Sequence, residues 1–137
     1  MLFRSFALGG ALMLVLIGAQ ATSCSTGFED CVCTEEFRVY GLTVVDDDGA
    51  PVNDASLEVV NLRTDRQLVS TFLGLPTSGT YWIVDDSMLD EFTVDGDSVE
   101  VTGTNDGLSF RTGFRFAVDE CGCHVQKLAG PDTVTIR

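Results

Sequence analysis

From residue 35 onward, apolar and polar positions alternate with a period of two, and turn-forming residues separate the runs. The clearest run is LSFRTGFRFAV, residues 108–118. Leu108, Phe110, Phe114, Phe116 and Val118 fall on one face, and Ser109, Arg111, Gly113 and Arg115 on the other. This is the pattern of a strand with one buried and one solvated face. Asn105-Asp106-Gly107 before it carries the chemistry of a tight hairpin turn, and SVEVTGT ahead of that turn places Val99 and Val101 inward. Further strands are predicted at 36–45, 55–63, 68–73, 80–86 and 132–137, with a bulge at Gly41, where the alternation slips. DDDGAP (46–51) and RTDRQ (63–67) read as turns. SMLDE (87–91) reads as one helical turn capped by Asp86 or Ser87. The expected fold is all-β: about seven short strands in an antiparallel sandwich, with no long amphipathic helix.

The N-terminus breaks this pattern. Arg4 precedes Phe6–Gly18 (FALGGALMLVLIG), an uncharged apolar run too short to span a bilayer as a helix but suited to an export signal. Two processing readings follow. Ala19-Gln20-Ala21 is an A-x-A site that releases a chain starting at Thr22. Ala21-Thr22-Ser23-Cys24 resembles the lipobox of bacterial lipoproteins, with Ala21 where Leu is usual. That resemblance implies lipidation of Cys24 and a mature chain beginning there.

The parity of the cysteines favours lipidation. The chain has five, and lipid on Cys24 leaves Cys31, Cys33, Cys121 and Cys123, an even set that can pair fully in an oxidising compartment. The organisation expected is a lipoprotein-type signal peptide at 1–23, a tether with the first CxC at 24–34, and a β-sandwich at 35–137. Phe28 lies in the tether, where it could dock on the domain or the bilayer. The expected location is the bacterial envelope, lipid-anchored and facing the periplasm or exterior, on the outer membrane of a two-membrane cell.

Charge narrows the partners. Without residues 1–23 the chain has 7 Lys+Arg against 21 Asp+Glu, a net charge of −14, and Lys127 is its only lysine. Such a surface repels phosphate backbones, so nucleic acid is not an expected partner. It suits either a salty medium that screens self-repulsion or an ordinary acidic exported protein. The partners expected are the membrane, through the N-terminal lipid, and an envelope protein or glycan.

LTVVDDDGAPVNDASLEVVN (42–61) resembles the opening of carboxypeptidase regulatory-like domains: a strand, an acidic turn with Gly49, the Pro51-Val52 pair, then Ala55 leading the next strand. SGTYWIVDD (78–86) is similar to a later Gly-x-Tyr strand of the same family. The resemblance implies a seven-stranded, transthyretin-like (Ig-like) sandwich and a non-catalytic accessory or binding role.

The two CxC pairs carry the remaining chemistry. CVC (31–33) precedes the first strand and CGCH (121–124) follows the long one. A bond within one CxC closes a strained ring, which favours crossed pairs, either 31–121 with 33–123 or 31–123 with 33–121. The alternative is a zinc- or copper-binding lipoprotein in which the four thiolates and His124 hold the metal. The one-residue spacing and export favour disulfides, so no metal ligand, cofactor or catalytic residue is assigned. His124, the only histidine, reads as a loop residue, with no G-x-S-x-G or equivalent to partner it. The acidic groups at Asp46–Asp48, Asp85-Asp86, Asp90-Glu91 and Asp95–Asp97 read as solvated turns, with weak calcium binding the alternative. Tyr81 and Trp82 point to opposite faces of one strand, one into the core and the other available for ligand stacking or edge covering.

Overall fold

A computed structural model describes residues 31–71 and 78–137. The expected signal peptide at 1–23, Cys24, Phe28 and the end of the strand predicted at 68–73 lie outside the described residues. Eight strands are present among the described residues: β1 Val39–Val45, β2 Ser56–Asn61, β3 Arg66–Gln67, β4 Thr80–Asp85, β5 Asp97–Asn105, β6 Leu108–Val118, β7 Val125–Ala129 and β8 Thr133–Thr135. They form a three-stranded sheet, β4-β1-β8, and a five-stranded sheet, β3-β2-β5-β6-β7. The only helical element among the described residues is a 3₁₀ segment, Asp86–Glu91. The chain is therefore all-β and sandwich-like.

The two sheets bury one face each against the other. Leu42, Ile83 and Val84 of the smaller sheet meet Val59, Val99, Val101, Phe114 and Phe116 of the larger one. Phe116 is fully buried and forms ring contacts with Tyr40, Phe92 and Phe114 at centroid distances of 5.4, 5.7 and 5.8 Å. Val44, Tyr81 and Ile136 form a second cluster. There the Tyr81 hydroxyl accepts from the Ala55 amide at 2.8 Å and donates to the Val52 carbonyl at 2.9 Å.

β5 and β6 make the longest hairpin, paired from Asp97↔Phe116 to Asn105↔Leu108. Asp106 and Gly107 close it, both with positive φ (47° and 84°), the geometry that matches strand twist in a two-residue turn. Gly103 pairs with Phe110, and a Cβ there would lie 2.1 Å from the Phe110 ring. The absent side chain lets that ring lie across the sheet. The β1–β4 register shifts between Tyr40 and Gly41, which is the bulge expected at Gly41.

The structure corrects several expectations. β8 runs parallel to β1 (Thr43↔Thr133 to Val45↔Thr135), so the sandwich is not purely antiparallel. β7 was not expected, and the described residues hold eight strands rather than about seven. β7 is a short edge strand in which only Val125 is buried, so its alternation is weak. Residues 68–71 are not strand, and β3 lies two residues earlier inside the predicted turn. Leu68 is buried while Val69 is 73% exposed, so apolar character there reflects one anchor rather than a strand face. The 3₁₀ segment begins at Asp86, and its cap is Asp85, whose carboxylate accepts from the Ser87 amide.

Candidate functional site at the disulfide-clamped arm

Three chain segments meet at one end of the sandwich: the arm 31–38 leading into β1, the start of the 3₁₀ segment after β4, and the loop 119–124 leading into β7. Disulfides Cys31–Cys121 and Cys33–Cys123 join the arm to that loop, with Cα–Cα distances of 5.5 and 5.4 Å. Of the two crossed patterns open from sequence, this is the one in which the segments run in parallel register. Each bond closes a separation of 90 residues, so the first contributes about 2–4 kcal/mol and the second less, its loop being already closed.

The residue after each inner cysteine continues the connection. Thr34 Oγ1 lies 2.9 Å from His124 Nε2, and His124 Nδ1 lies 2.8 Å from Asp86 Oδ2. Asp86 also accepts from the Arg38 amide on Oδ2 and the Val125 amide on Oδ1, each at 2.8 Å. A carboxylate accepting from two amides is an acceptor toward the imidazole as well, which makes Nδ1 the protonated nitrogen. In the neutral ring Nε2 then accepts from the Thr34 hydroxyl. The Asp86 amide returns a bond to the Arg38 carbonyl at 3.1 Å, and Tyr40 donates to the Val125 carbonyl at 2.8 Å. Burial opposes ionisation of Asp86, but the Arg38 amide, His124 and the Val125 amide outweigh it and hold the carboxyl below its usual range.

His124 is a loop residue, as read from sequence, and is buried there at 5% exposure. One reading is corrected. Asp85, Asp86 and Asp97 are not solvated turn acids; they are 0, 9 and 3% exposed. Asp85 takes Ser70, Thr71 and Ser87 as donors, and Asp97 takes Arg63 and the Thr93 amide. The Asp46 turn is as expected: its carboxylate accepts from the Asp48 and Ala50 amides, and Asp46–Asp48 form an acidic loop before Pro51. Tyr81 is the core member of its pair, and the edge of the Trp82 ring lies over Gly41. One available clue was the position of His124, directly between CxC and an apolar strand start.

Hydroxyl, imidazole and carboxylate stand in the order used to activate a nucleophile. The amides beside them are already committed, however. Gly122 and Cys123 donate to Asp119 at 2.9 and 2.7 Å, and Val125 donates to Asp86. No oxyanion-binding pair remains among these three, and the bonds of this arrangement join the arm to the loop before β7 and to the 3₁₀ segment. With Cys31, Cys33, Cys121 and Cys123 held in disulfides, no group of three or more His, Cys, Asp or Glu among the described residues is placed to hold a metal ion. A cleft of about 510 Å³ beside Cys121 is lined by Val94, Val118, Asp119, Glu120 and Leu128 among others. No family model matches this chain, and neither the curated proteins nor the solved structures contain a match to it.

Proposed function

We propose that this chain is an exported lipoprotein, anchored through Cys24, whose β-sandwich serves as a binding or structural module of carboxypeptidase regulatory-like type at the bacterial envelope. The observation that carries the reading is the double clamp on the arm. A lipid on Cys24 would place its anchor seven residues before Cys31, the first clamped position. Tension on that anchor would then pass through two covalent bonds into β7 rather than peeling β1 from its sheet. The Thr34–His124–Asp86 chain supports a non-catalytic role, since each member is engaged in holding the arm. Partners in this reading are the membrane, through the lipid, and an envelope protein or glycan.

Fractionation of cells expressing the wild type and Cys24→Ser tests the proposal. The wild type is expected with membranes and the variant in the soluble fraction. Equal distribution of the two would overturn it.

A further inference from the structure

We infer that the two CxC pairs, when reduced, form a tetrathiolate site for a thiolate-preferring d¹⁰ cation such as zinc or copper(I), so that metal binding is gated by the redox state of the clamp. This goes beyond the anchoring role and does not rest on it.

The geometry supplies the ligands. The Cα atoms within each pair are 5.5 and 5.4 Å apart, and one residue separates the pairs along either segment. Two residues span at most about 7 Å, so four sulfurs share one small patch. Tetrahedral zinc holds thiolates at about 2.3 Å, which sets sulfurs about 3.8 Å apart. Reaching that spacing needs each bond opened from about 2 Å and the two pairs drawn together from a separation of up to about 7 Å, a movement of the two segments. Cys31, Cys33 and Cys121 are exposed and Cys123 half-buried, so the shift costs no core packing.

The arm also has sulfur-independent attachments. Thr34 to His124, the Arg38 amide to Asp86, and the Asp86 amide to Arg38 do not depend on either disulfide. They keep the four thiols together after reduction, which separates a preformed site from four loose cysteines. Glu35, Glu36, Asp119 and Glu120 flank the cysteines in sequence and favour approach of a cation.

The chemistry balances. A dithiol reductant delivers two electrons and two protons to each disulfide and is itself oxidised to a disulfide; two equivalents yield four thiols. A divalent cation then replaces up to four protons, which pass to solvent. A disulfide-forming oxidant removes four electrons, restores both bonds and releases the metal.

The test uses the full chain with Cys24→Ser, which removes the only other thiol. Zn²⁺ is added to the oxidised and to the anaerobically reduced protein, and each is weighed by non-denaturing mass spectrometry. One zinc per reduced chain and none per oxidised chain is expected. Removing one clamp by Cys33→Ser with Cys123→Ser should weaken retention against a chelator by about 100-fold or more. Denaturing the reduced chain in guanidinium should weaken it as well. Absence of zinc from the reduced protein, retention unchanged by the double substitution, or equal retention by the denatured chain would each overturn the proposal.

Discussion

His124 Nδ1 lies 2.8 Å from the Asp86 carboxylate, 38 residues away in sequence, and both side chains are 7% exposed. The pair joins the entry of β7 to the end of β4 and, through Thr34 and Arg38, to the arm ahead of β1. It does with hydrogen bonds what the disulfides do covalently, one residue further along each segment.

Removing Asp86 should therefore cost more than removing an exposed acid. Asp86→Ala strips an acceptor from His124 and from two amides, and a loss of about 3 kcal/mol is expected. Urea unfolding against Asp47→Ala, at an exposed turn position, checks it; a difference below about 1 kcal/mol would mean that the junction contributes little.

Acid should weaken the fold through the same group. The Asp86 carboxyl is held below its unfolded value, as is that of Asp97, where burial is outweighed by Arg63 and Thr93. Each contribution is fully present above the ordinary carboxylate range and is lost as pH falls through the depressed folded value. Asp86→Asn should lower stability at neutral pH and flatten the acid limb, leaving the part due to Asp97. Urea midpoints measured across that range test this; an acid limb as steep in the variant as in the wild type would count against Asp86.

The two disulfides should be non-additive. Cys31→Ser with Cys121→Ser leaves the 33–123 bond and is expected to cost less than the roughly 2–4 kcal/mol lost with the last remaining bond. Thermal unfolding of both single-pair variants and the four-serine variant measures it, and equal, additive steps would refute the shared-loop argument.

At Gly103 the expected cost is steric. A Cβ would meet the Phe110 ring at 2.1 Å, so Gly103→Ala should destabilise by about 1–3 kcal/mol. Gly113, on the same hairpin with nothing within 4 Å of an added Cβ, provides the control. Similar losses at both positions would point to glycine's backbone rather than the ring contact.

Strands whose two faces differ strongly were legible from sequence. β6 spans the predicted residues 108–118, with Phe114 and Phe116 buried as expected but Leu108 45% exposed at the hairpin end and Ala117 buried on the other face; Val99 and Val101 of its partner are buried as the alternation required. The hairpin and the Gly41 bulge were legible because turn chemistry and a slipped period are local signals. β8 lies within the strand predicted at 132–137, but its parallel pairing and the whole of β7 were not legible, since strand direction is set by distant pairing and a five-residue edge strand has little contrast. The His124–Asp86 junction was hidden for the same reason. Nothing local distinguishes Asp86 from the acids around it; its burial comes from a loop 38 residues away.

The most direct test of the account is the intact mass of native protein from bacterial membranes, before and after reduction with alkylation. The account predicts Cys24–Arg137 plus acyl chains, with four cysteines alkylated only after reduction. A chain starting at Thr22, with thiols that react before reduction, would contradict both the anchor and the clamp.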